Sequence, residues 1–262
     1  MRVALTLALL VALALACAHG GDEQTAPPVE SAPTKVPPSS PEDMATAEEK
    51  LLAGRTLAAE GKHGQALPYF EAATALYPGW AIAHLEEASC RMVLNQDEAA
   101  IARPLEKARQ LAPSNPRVHY ALGLFHENFG REAAARKAYR AALSYRSSYP
   151  DALYRLALLE EISGALKPAR EAFDRAYSLN PDNTAAGLGA ARLAERQGDI
   201  EHAERTLELM ARRFPDNLSF RQQLADLYER SGQGGKAKKL RAEIAREARP
   251  ARELRPLKPS RR

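Results

Sequence analysis

Two cysteines, Cys17 and Cys90, are all that this 262-residue chain holds. That is too few for a disulfide framework and leaves no cysteine cluster to complete a metal site. Long apolar runs are equally scarce. The single uninterrupted stretch, from Val3 to Ala16, is about fourteen residues, short of the ~20 that span a bilayer as a helix. No glycine-cradled phosphate motif, catalytic triad or cleft carboxylate pair can be placed, so no enzyme chemistry is expected and no cofactor is implied. His119 and His126 lie seven apart, whereas a metal pair on a helix is spaced three or four, and they read as ordinary helix histidines. "SGQGGKAKK", from Ser231 to Lys239, lacks the Ser or Thr after lysine and a preceding strand, so its glycines read as a turn between helices.

What stands at the N-terminus is a charge at Arg2 followed by that apolar run, the pattern of a secretory signal over residues 1–16. The mature chain is therefore expected to work outside the cytoplasm. Ala14, Leu15 and Ala16 satisfy the small-x-small rule of ordinary signal peptidase, and Cys17 follows at once. The same stretch resembles the bacterial lipobox, whose cysteine becomes the lipidated first residue, with Ala14 standing where leucine is usual. Two products remain open: a chain lipidated at Cys17, or a soluble one beginning at or just after it. Similarity to enterobacterial sorting, with Ala18 instead of aspartate, implies the outer membrane, facing the periplasm.

Residues 17–45 read as a Pro-rich tether. From Ala18 to Asp43 there are five acids, one lysine and almost no large apolar group, too little to offset chain entropy. As a flexible coil this segment reaches on the order of 30 Å. The formal charge of +4 is unevenly spread: the tether is acidic, while Arg246 to Arg262 holds seven basic and two acidic residues. With its prolines, 249–262 reads as a disordered basic tail. Residues 46–248, between them, are nearly neutral, and no nucleic-acid partner is expected.

That central part repeats itself. From Pro116 to Tyr149 the chain carries Leu122 and Gly123, then Gly130, then Ala135, Tyr139 and Ala142; the next unit answers with Leu156, Ala157, Gly164, Ala169, Phe173, Ala176 and Pro181. Small residues belong where two antiparallel helices approach, one large residue fills the gap beyond, and the glycine sits in the turn. An earlier unit, 47–80, matches through Gly54, Gly61, Ala66, Phe70, Ala73 and Pro78. A later one, 184–217, keeps Gly198, Ala203, Leu207 and Pro215 but has Met210 where alanine is usual. The last begins at Leu218 and puts Arg241 where a large apolar group is expected, so Ala237, Leu240 and Ile244 should face inward as a polar-coated cap. Unit 81–115 departs most, with one extra residue, Ser89 at the small position, Ile101 in place of alanine, and Pro104, which predicts a kink or a helix start.

These motifs resemble the tetratricopeptide repeat over about three-quarters of the chain. The resemblance implies an all-α, right-handed superhelical solenoid of about six helix-turn-helix repeats. It also implies a concave groove lined by the first helix of each pair, holding Tyr120, Leu124 and Glu127, then Tyr154, Leu158 and Glu161, then Leu188, Arg192 and Glu195. The tyrosines are candidate anchors for an extended or helical partner segment, flanked by a ladder of carboxylates. The groove lacks the lysine and asparagine of carboxylate-clamp adaptors. In size, repeat number and N-terminal cysteine the chain looks like the pilotin-type lipoproteins of type IV pili, which promote secretin assembly in the outer membrane. That similarity implies a protein partner in the cell envelope, with a secretin the first candidate. Adaptors of gliding-motility or other trans-envelope complexes, and modules binding peptidoglycan or lipopolysaccharide through the basic tail, are the alternatives.

Overall fold

The computed structural model describes residues 40–247. The signal segment 1–16, Cys17, most of the tether and the tail 249–262 lie outside the described residues. Twelve α-helices and no strand occur among those residues: α1 (Pro41–Ala59), α2 (His63–Leu76), α3 (Ala81–Val93), α4 (Glu98–Leu111), α5 (Pro116–Asn128), α6 (Glu132–Tyr145), α7 (Pro150–Ile162), α8 (Leu166–Leu179), α9 (Thr184–Arg196), α10 (Ile200–Arg213), α11 (Leu218–Arg230) and α12 (Gly234–Glu247). The chain forms two compact units, meeting in sequence at Ala152 and Leu153 inside α7. None of these helices is long and apolar enough to cross a membrane.

The turns show why the helices come in pairs. Gly130 adopts φ +68°, its N–H donates to the Glu127 carbonyl at 3.0 Å, and the Arg131 N–H donates to the His126 carbonyl at 2.8 Å. This double bond pattern satisfies the last carbonyls of a helix and requires a left-handed residue. Gly61, Gly164, Gly198 and Gly232 take the same conformation in the other pairs. In the irregular unit Asn95 stands there at φ +51°, with Asn95 N–H to Met92 and Gln96 N–H to Arg91. Asparagine is the non-glycine residue that tolerates this region.

The tether expectation needs correcting at its end. α1 already begins at Pro41, because Ser40 caps it: the Asp43 N–H donates to Ser40 Oγ at 3.0 Å and Ser40 Oγ donates to Asp43 Oδ2 at 2.8 Å. "SPED" is a cap, a first-turn proline and an acid three residues on. Irregular unit 81–115 also differs from expectation. Ala88, not Ser89, is fully buried at the small position of α3, with Ser89 half-exposed; the extra residue falls after Val93, in the turn "LNQD". Pro104 neither starts nor divides a helix, since α4 runs unbroken from Glu98 to Leu111, capped by Asp97. A mid-helix proline costs on the order of 3 kcal/mol, and burial of Ile101, Leu105 and Ala108 at 0–1% exposure offsets it.

The core is built from contacts between a large ring on one helix and a small residue on another. A Cβ on Gly54 would lie 2.7 Å from the Phe70 ring, and one on Gly123 would overlap the Tyr139 ring. In the second unit a Cβ on Gly189 would lie 3.0 Å from the Phe173 ring. At the C-terminal end Ala237 is fully buried, Leu240 and Ile244 are half-buried, and Arg241 reaches Asp226 at 2.9 Å and Glu229 at 3.1 Å. The last of the described helices thus closes with charge where a preceding one places Leu207.

Gly123→Ala is expected to destabilise the protein by roughly 1–3 kcal/mol through the Tyr139 clash. Gly64→Ala, on α2 with nothing near its Cβ, is expected to stabilise by up to about 1 kcal/mol. Urea midpoints of the two variants check both signs.

Candidate functional site

The nine nominated groove residues fall into two sets, one in each unit. In the first unit Tyr120 and Leu124 are core residues, at 5% and 3% exposure. Tyr120 lies 5.7 Å from the Tyr139 ring and 5.0 Å from the Tyr149 ring. Glu127 accepts a hydrogen bond from the Tyr139 hydroxyl. Tyr120 and Leu124 are therefore committed to the interior, and half-buried Glu127 is engaged by Tyr139.

In the second unit the same positions are more open. Tyr154, Leu158 and Leu188 are half-buried, and Tyr154 tilts against Phe173 at 5.9 Å. Each carboxylate is held by an arginine one repeat further along: Arg192 Nη2 donates to Glu161 Oε2 at 2.7 Å, with Arg196 at 3.6 Å. Arg230 donates to Glu195 through Nε at 2.6 Å and Nη2 at 3.0 Å. The hydrogen bond from Arg192 holds the Glu161 carboxyl below its usual range, and that carboxylate raises the Arg192 guanidinium.

Leu188, Arg192 and Glu195 come together in an open cleft of about 170 Å³ between α9 and α11. Its floor is apolar, from Ala191, Leu207 and Leu227, and its rim carries Gln223, Asp226 and Arg230. The rim residues on α11 escaped the sequence reading, which stopped at α9. A signal was available, because Arg196 and Arg230 are 34 residues apart and so equivalent in the repeat.

The other singled-out residues have structural duties. His119 donates from Nε2 to the Pro113 carbonyl at 2.6 Å and stacks on Tyr145, as His84 donates to Pro78 at 3.0 Å. Burial lowers the pKa of His126. Buried Cys90 donates from Sγ to the His63 carbonyl at 3.1 Å. No group of three His, Cys, Asp or Glu among the described residues is placed to hold a metal ion.

Paired helices with glycine turns and an open face of mixed apolar and charged groups define a helical-repeat, protein-binding module. Models of the tetratricopeptide repeat match residues 51–116, 103–146, 120–184 and 162–217. The chain belongs to the tetratricopeptide-repeat family. No curated protein sequence matches it. Among solved structures, Pseudomonas aeruginosa PilF is similar over 79% of this chain and 94% of its own, at 18% identity and TM-score 0.65. PilW, described as a widely conserved type IV pilus biogenesis factor, is similar over 76% and 91%, at 16% identity and TM-score 0.60. A tetratricopeptide repeat protein from Parabacteroides merdae is similar over 79% and 81%, at 19% identity and TM-score 0.55.

Two outcomes follow from the geometry. Tyr120→Ala is expected to cost about 3–5 kcal/mol of stability as a core truncation, and Tyr154→Ala about 1–2 kcal/mol for a half-buried ring; urea unfolding of each variant measures both. Because folding lowers the Glu161 pKa, its pair with Arg192 contributes fully above the ordinary glutamate value of 4.5 and is lost as pH falls through the lowered one. For so exposed an arginine the contribution is about 0–1 kcal/mol. Arg192→Gln should flatten the acid side of a plot of urea midpoint against pH.

Proposed function

We propose that this tetratricopeptide-repeat chain is a membrane-anchored scaffold that assists assembly of a bacterial envelope machine of the type IV pilus kind, with a secretin as its partner. The carrying observation is the combination in one chain of an apolar segment 1–16 followed at once by Cys17, an acidic Pro-rich segment, and a six-repeat array between that segment and the tail. Such a chain has a means of attachment, a reach on the order of 30 Å and a protein-binding body. The fold likeness to PilW, over nearly the whole of that pilus biogenesis factor, supports the choice of machine.

The face that engages the partner is the open second-unit surface around Tyr154, Leu158, Leu188 and Arg192. The basic tail supports a second mode, contact with phosphate-rich envelope polymers such as lipopolysaccharide, and deletion of 249–262 separates the two. That deletion spares Glu247, whose carboxylate holds Arg221 Nη1 at 2.8 Å.

In cells lacking the gene, heat-resistant secretin multimers are expected to disappear from immunoblots while monomer persists. The Cys17→Ala form is expected to lose metabolic palmitate labelling and to restore multimers poorly. Normal multimers in the deletion strain would remove the pilus reading. Unchanged labelling of the Cys17→Ala form would remove the anchor.

A further inference from the structure

The carboxylates that the sequence places on this face are not its outermost charges. Glu161 and Glu195 side chains are 17% and 25% exposed, whereas Arg192, Arg196 and Arg230, which hold them, are 51%, 53% and 58% exposed. The acids lie beneath and the guanidinium groups stand outward. A guanidinium has five N–H donors. Arg192 gives Glu161 one bond from each terminal nitrogen, and Arg230 uses Nε and Nη2 on Glu195, so each keeps N–H groups directed away from its partner. With Asp226 and Glu229, which Arg241 holds, four arginines meet four acids here, so the sign of the face rests on which groups stand outermost.

Between Arg192 and Arg230 lies the cleft of about 170 Å³ with its floor of Leu207 and Leu227. A cavity of about 150 Å³ accommodates a benzene-sized group, so the opening takes one leucine or phenylalanine side chain. We infer that the cleft between α9 and α11 receives an acidic protein segment that inserts one large apolar side chain and places carboxylates on the outward faces of Arg192 and Arg230. The inference rests on the reading of this face as the partner-binding surface and adds the chemistry of the partner. A basic segment would have to displace an arginine already held in a two-point pair. For the same reason this chain's own tail, with six basic and one acidic residue over 249–262, has the wrong sign for the cleft.

The test is selection of a random dodecapeptide phage library on the Cys17→Ser chain lacking its leader. Three forms are compared: unaltered, Arg192→Gln/Arg230→Gln, and Gln223→Trp. Gln223 is an exposed lip residue, so a tryptophan there fills the cleft without entering the core. Matching circular dichroism and urea midpoints establish that all three are folded. Enriched peptides are expected to be net negative with one leucine or phenylalanine, and to bind both variants at least about tenfold more weakly, a loss of ~1.4 kcal/mol. Binders that are lost on Gln223→Trp but are neutral or basic would overturn the acidic chemistry and leave the binding face standing. Binders indifferent to both variants, or no enrichment at all, would overturn the cleft as a docking site, while the cellular assay of secretin multimers judges the assembly role separately.

Discussion

The distance of closest approach between the two helices of a pair governs the rest of this molecule. Where Gly54 meets Phe70 and Gly123 meets Tyr139, no side-chain carbon fits between backbone and ring. The rings can therefore lie flat against the opposing helix, almost completely buried, and each becomes the filler of its repeat. Protein interiors tolerate neither gaps nor overlap at this scale, so a small residue here and a large one there amount to a single condition. Gly187 obeys it as well, sitting against Met210 and Tyr177, and so the methionine that breaks the repeat pattern is matched by a glycine opposite.

Electrostatics follow from the same periodicity. Stacked repeats bring successive first helices side by side, and charges on them pair from one repeat to the next. In the first unit the buried Glu86 carboxylate takes Arg55 at 2.9 Å and Arg117 at 3.2 Å, tying α1, α3 and α5 together. In the second unit Glu161 with Arg192, and Glu195 with Arg230, do the same across α7, α9 and α11. The longer, more exposed partner is the arginine each time, and it sets the chemical character of the face. Isolated exposed pairs contribute little to stability, so the weight of these contacts lies in what they present to a partner.

Local signals were legible to the extent that one helix or one turn decides them. The glycine turns and the small and large positions are of that kind, and so is the polar closing helix with Ala237 inward. The cap at Ser40 was equally local and could have been read from "SPED". The helix start at Pro104 was misjudged because helix propensity is a local penalty, and the packing of Ile101, Leu105 and Ala108 that outweighs it is not local. Ser89 was misplaced because one inserted residue can be put on either side of a helix when only the sequence is in view; the left-handed Asn95 locates it.

The candidate site was legible as a set of equivalent positions but not as a surface. The sequence by itself determined the family, the pairing of helices and the register of the repeat, because a period of 34 residues and glycines at fixed places admit few other arrangements. Only the tertiary structure decided that Tyr120 and Leu124 belong to the core while Leu188 and Arg192 line a cleft, since equivalent positions differ in exposure according to which side chains the neighbouring helices supply. It also decided the sign of the face, because which member of an ion pair lies outermost depends on side-chain length and on the backbone position from which each reaches, and neither is visible until the helices are set side by side.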